Sequence, residues 1–111
     1  MIDSIDYGEI RISGRDYYSD VLVWWGGEVE YREKQHIFSL EDFLRILEKR
    51  PQVVVIGTGQ EGSVRVPDRV KEMAEQTSIE LFIEPSRRAV QLFNAFLKDG
   101  KKVVAYIHVT M

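Results

Sequence analysis

Residues 53–62 read VVVIGTGQEG, so Gly57, Gly59 and Gly62 stand in G-x-G-x-x-G spacing. That pattern suits pyrophosphate binding when a helix starts inside it, because the helix N-terminal amides and dipole then meet the phosphates. Here Gly62 leads into Ser63-Val64-Arg65-Val66-Pro67. Val64 and Val66 are β-branched, and Val66 precedes a proline, which disfavours helix at that position. The next helix is expected to open near Pro67, several residues too late. Glu84 does stand near the offset at which a ribose-binding acid belongs. The chain is too short, however, for both mononucleotide halves of a dinucleotide fold. The glycines are therefore read as a tight exit from a buried strand, and no cofactor is expected.

A different ligand chemistry is compatible with the same strand end. Ligands of open α/β sheets bind outside the carboxyl ends of the strands. Two such ends here are Gly57-Thr58-Gly59-Gln60 and Glu84-Pro85-Ser86-Arg87-Arg88. Arg87 and Arg88 fall in the first turn of a helix, where the dipole disfavours cations by several tenths of a kcal/mol. A bound small anion would offset that cost. The expected cradle uses Gly57, Thr58 and Gly59 with Ser86, Arg87 and Arg88. Asn94, at the edge of the same helix's apolar stripe, either satisfies a nearby backbone group or reaches the ligand.

Other chemistry-bearing residues are sparse. His36, Ser39 and Asp42 are the right types for a triad but cluster at one helix start, where Ser39 serves more simply as a cap. His108 alternates with Ile107 and Val109 in a strand. Two histidines with scattered carboxylates lack metal-ligand spacing, so no metal is expected. Trp24 and Trp25, with Tyr17, Tyr18 and Tyr31, form an aromatic cluster. It reads either as core or as a contact surface built on Trp24, Trp25 and Tyr17, and a homodimer is one form that such a surface takes.

The elements that position these residues divide the chain. Residues 8–12 alternate as a strand, and residues 15–18 can pair back on it across the Ser13-Gly14 turn. Residues 20–25 and 28–32 are expected to pair across a two-residue Gly26-Gly27 turn. The strand at 20–25 is apolar on both faces, so both faces need cover. Ser39 caps a helix carrying Leu40, Phe43, Leu44 and Leu47, which Pro51 stops. Residues 53–57 read as a central strand covered on both sides. A helix follows from Pro67, then a strand at 79–83 and a helix expected to be capped by Ser86 and closed by Gly100. Residues 102–109 form the last strand. The expected fold is a three-layer α/β single domain over 1–111, with a mixed central β-sheet, flanking helices and an N-terminal β meander.

Composition narrows the function classes. The 111 residues carry a net charge of −3, with 44% apolar and 30% charged residues. No basic field favours nucleic acid or an acidic membrane. The absence of cysteine excludes disulfides, thiol catalysis and Cys-ligated metals. No signal peptide or apolar membrane span is read, so a cytoplasmic protein is expected. A single asparagine and many Glu, Lys and Arg fit a thermophile's composition.

VVVIGTG, followed by IELFIEPSRRAVQLFNAFLKDGKKVVAYIHVT, resembles a family of small α/β domains of unknown function. Its eukaryotic relatives include an assembly factor of mitochondrial respiratory complex I and an adipogenesis-associated cytoplasmic protein. The family's strand ending in Gly-x-Gly matches Gly57 and Gly59. Its Thr-x-x-Ala-x-x-x-aromatic-Asn helix start matches Ser86, Ala89, Phe93 and Asn94, with serine in place of the usual threonine. Glu84-Pro85 also departs from the usual lead-in. The N-terminal YGEIRISGRDYYSDV looks like the family's opening strands. The resemblance implies a three-layer fold with a mixed sheet, and supplies no reaction. The expected function is a non-enzymatic protein-binding or assembly-type module. The alternative is a small-anion or small-metabolite binding protein, or an enzyme, that uses the strand-end cleft.

Overall fold

The computed structural model describes residues 1–111. Its five-stranded sheet contains β4 (Asp20–Trp24), β5 (Val29–Arg32), β6 (Val53–Gly57), β7 (Glu80–Glu84) and β8 (Val103–Ile107), in the order β5-β4-β8-β6-β7. Strand β8 is central, antiparallel to β4 and parallel to β6. A separate antiparallel sheet holds β1 (Ile2–Asp6), β2 (Glu9–Ile12) and β3 (Arg15–Tyr17). Residues 2–6 do not announce themselves as a strand, because polar Asp3 and Ser4 interrupt their alternation. Pairing Ile2 with Ile12 and Ile5 with Ile10 nevertheless puts four isoleucines into one core.

The sheet separates two apolar cores. Val21, Val23, Val55 and Ala105 face α3 (Ser86–Lys98) and the isoleucines of the smaller sheet. Leu22, Trp24, Val54, Ile56 and Tyr106 face α1 (Leu40–Leu47) and α2 (Asp68–Gln76). Strands β6 and β8 are buried at every position, which explains their continuous apolar runs. The three layers and mixed sheet match the sequence reading.

Local signals act as their chemistry dictates. Ser39 caps α1 by accepting from the Asp42 amide, and Asp42 accepts the Ser39 amide in return. At the end of α3, the Gly100 amide donates to Leu97 and that of Lys101 to Phe96, which is the Schellman pattern. Two details differ from expectation. The β4–β5 turn has three residues, because the Trp24 amide already donates to the Glu28 carbonyl at 2.9 Å. Gly27, at φ 99°, provides the left-handed position, and Trp25 leaves the strand. Pro85, not Ser86, is the N-cap of α3, so the Ser86 hydroxyl is free for another task.

Candidate functional site

Sequence places the expected ligand cradle where β6 runs into residues 58–63. The structure spends the loop's backbone donors internally. Thr58 donates its amide to the Glu84 carbonyl at 2.9 Å. The Gly59 amide donates to Ser86 Oγ at 2.8 Å, and Ser86 Oγ donates to the His108 carbonyl at 2.6 Å. The Ser86 amide returns to the Gly59 carbonyl at 3.0 Å. Gln60 donates to Thr110, and Glu61 and Ser63 both donate to Met111. The chain's last residues thus lie along the loop like a strap. Gly59, at φ 101°, sits against the Met111 backbone with no room for a Cβ. Gly57 and Thr58 are buried with it.

The expected cationic partners point elsewhere. Arg87 Nη1 donates to the Ile5 carbonyl at 3.1 Å, bracing β1. Arg88 is exposed and reaches only Gln91. Asn94 grips both backbone groups of Ile2: its Oδ1 accepts at 3.0 Å and its Nδ2 donates at 2.8 Å. These residues are therefore not assembled into an anion cradle. Arg87 and Asn94 hold the smaller sheet onto α3, and Ser86 ties the loop to His108 at the start of the strap.

Beneath the strap lies a buried polar network that sequence reading missed. Asp20 is fully buried and accepts three donors. These are the Tyr106 hydroxyl at 2.7 Å, His108 Nδ1 at 2.8 Å and the Val109 amide at 3.0 Å. Because the carboxylate only accepts, Nδ1 carries the proton, and His108 Nε2 faces Thr110 Oγ1 at 3.1 Å. Burial, then the bond to Asp20, then the Asp20 charge push the Tyr106 phenol well above its ordinary value of 10.0. The signal was present: an acid and a histidine each adjoin a strand apolar on both faces, and buried charges need partners.

Thr110, His108 and Asp20 follow the order of nucleophile, base and orienting acid. His108, however, is sealed to 1% exposure, and Asp20 serves two other donors. The alignment ties β4 to β8 and holds the strap. His36 lies on the surface, its ring centroid 6.1 Å from that of His108. Ser39 and Asp42 are committed to their capping box, and Asp42 also accepts Arg32 at 2.7 Å and Gln35 at 3.1 Å.

Two open features bear on recognition. One is a cleft of about 270 Å³ between α1 and the β4–β5 hairpin. Leu22, Trp24, Phe38, Ile46 and Tyr106 floor it, and Arg32, Arg45 and Lys49 share its rim with Glu30, Asp42 and Glu48. Trp24 Nε1 donates to Glu30 at 2.6 Å, and Lys49 Nζ sits 4.3 Å over the Trp24 ring. The other is the outer edge of β5, where Tyr31 is 67% exposed and rests on Tyr17 at 5.4 Å. The aromatic surface expected at Trp24, Trp25 and Tyr17 is corrected accordingly. Trp24 and Tyr17 are buried and Trp25 half-buried, whereas Tyr31 and Tyr18 are exposed.

Comparison with known proteins agrees with this architecture. Residues 2–108 match the model of a family described as protein of unknown function (DUF498/DUF598). The conserved hypothetical protein PH1505 from Pyrococcus horikoshii OT3 superposes with a TM-score of 0.88 at 24% identity, covering 100% of this chain and 99% of that one. A structure named MT938 gives 0.85 at 27% identity, covering 100% and 98%. A Bordetella pertussis protein described as a Mth938-like domain gives 0.72 at 14% identity, covering 98% and 85%.

Proposed function

We propose, from the premise that the chain belongs to the DUF498/DUF598 family of proteins of unknown function, that it is a non-enzymatic protein-association module whose contact surface is the open β5 edge. One observation carries this reading: β5 ends the five-stranded sheet with an exposed tyrosine on it. An unpaired edge presents backbone donors and acceptors to any added strand, and an aromatic held from behind adds contact area at low entropic cost. The groups best suited to chemistry are, by contrast, buried and mutually satisfied. A cytoplasmic location belongs to the same reading; no helix is long and apolar enough to cross a membrane. The test is capture of protein partners by wild type and by Tyr31→Pro, with the fold monitored by circular dichroism. Proline blocks strand addition while an edge tolerates it. The reading predicts a partner, this chain included, that wild type retains and the variant loses. Equal retention by both overturns it.

The cleft favours a second reading, in which a small carboxylate with an apolar body sits on Trp24 and Phe38 and meets Arg45 at the rim. Thermal stability with millimolar aromatic carboxylates should then rise in wild type and not in Arg45→Ala. An unchanged melting temperature across the panel excludes it.

A further inference from the structure

We infer that β5 pairs with β5 of a second copy, antiparallel, with Tyr31 on the twofold axis. The inference rests on the β5 edge being a contact surface and names its occupant. It begins with backbone direction. Trp24 donates to Glu28, and Leu22 and Asp20 lie opposite Glu30 and Arg32. Hydrogen-bonded and non-bonded pairs alternate in an antiparallel ladder. Glu28, Glu30 and Arg32 therefore turn their backbone groups toward β4, and Val29 and Tyr31 turn theirs outward. Strand β5 ends at Arg32, and a strand added at this edge would carry the same alternation on to Glu33 and Lys34.

A second β5 must set outward residues opposite outward residues, which leaves few registers. Centring on Val29 opposes Glu28 to the partner's Glu30. Centring on Glu30 opposes it to the partner's Glu30, and centring on Arg32 opposes it to the partner's Arg32. Each places like charges directly across the strands, which is destabilising. Centring on Tyr31 opposes Glu30 to the partner's Arg32 and, one pair further out, Glu28 to the partner's Lys34. Both oppositions then occur twice by symmetry. The stretch Glu28-Val29-Glu30-Tyr31-Arg32-Glu33-Lys34 is thus complementary to itself in one register only. In that register the two Tyr31 rings face each other, each backed by its own Tyr17. The opposite edge lacks this property: β7 centred on Phe82 sets Glu80 against the partner's Glu84.

The register is testable by charge exchange at exposed positions. Glu28 has only a 3.8 Å approach to Lys49, and Lys34 lies on the surface. Sedimentation velocity from micromolar to millimolar concentration should show a concentration-dependent wild-type dimer. Glu28→Lys and Lys34→Glu should each weaken it by about tenfold or more, since each sets like charges across the axis. The double variant should recover wild-type association. An equimolar mixture of the two single variants should form a heterodimer, because every opposition in it is again between opposite charges. Tyr31→Pro should be monomeric throughout. A wild type that stays monomeric at millimolar concentration overturns the inference. So do single variants that dimerise as wild type does. If wild type is monomeric yet holds a different protein through Tyr31, the second copy is excluded and the association reading stands.

Discussion

The carboxyl end of β8 and the outer edge of β5 both concentrate polar groups, and they use them in opposite ways. At β8 the polar atoms face inward and satisfy one another: Asp20 takes three donors, Ser86 links Gly59 to His108, and the strap seals both. Around β5 the charges of Glu28, Glu33 and Lys34 are exposed, although Glu30 and Arg32 meet Trp24 and Asp42, and the outward backbone groups have no partner within the chain. The first arrangement converts functional-looking residues into scaffold. The second leaves plain-looking residues available. Residue type alone would assign the two regions the wrong way round, because partner satisfaction decides which groups can meet a ligand.

The comparison is most sharply broken at Asp20. Asp20→Ala would leave the Tyr106 hydroxyl, His108 Nδ1 and the Val109 amide unpaired in a sealed site. Losing one partner of such a network costs about 3–5 kcal/mol. That is a large fraction of the ~5–15 kcal/mol that holds a small domain. Denaturant unfolding should show the midpoint falling steeply, and the far-UV spectrum should show the variant on the edge of unfolding at room temperature. A loss below about 1 kcal/mol would mean that the network is surface-like after all.

Much of the scaffold was legible because its signals are local. The Ser39–Asp42 box, Pro67, Gly100 and the apolar runs of β6 and β8 each declare an element within a few residues. The resemblance extended that reading to the family. The site was less legible because its determinants are contacts between distant positions. Asp20 meets Tyr106 and His108 across more than eighty residues, and Asn94 meets Ile2 across ninety-two. Ser86 reads as a cap because serine at a helix start usually is one. The preceding proline takes that position and frees the hydroxyl for the strap. Alternation puts Trp24 and Trp25 on opposite faces of one strand. The three-residue turn instead buries Trp24 against Glu30 and swings Trp25 out of the ladder.

Tyr106 gives a milder and pH-dependent effect. Its phenol titrates above its unfolded value, so the native state holds the proton more tightly. The stability this confers is complete below about pH 10 and is lost as pH rises past that value, by up to about 1.4 kcal/mol per pH unit. Tyr106→Phe removes both the proton and its bond to Asp20, at a cost near 1–2 kcal/mol at neutral pH. Stability curves from pH 7 to about pH 11 should therefore converge. Parallel curves would show that the phenol does not titrate differently in the folded protein.

The smallest stability effects belong to the edge, and there the contrast is most informative. Glu28→Lys and Lys34→Glu change solvated side chains, so each monomer's unfolding free energy should move by less than about 0.5 kcal/mol. Their association should change by an order of magnitude all the same. Stability and assembly are thereby separable at β5, whereas at Asp20 no substitution can touch the network without touching the fold. A Glu28→Lys protein that loses several kcal/mol as a dilute monomer would place Glu28 in the scaffold and abolish the distinction between the two regions. Unchanged monomer stability, with dimerisation lost singly and regained in the mixture, would show that the edge charges are kept for a partner and not for the fold.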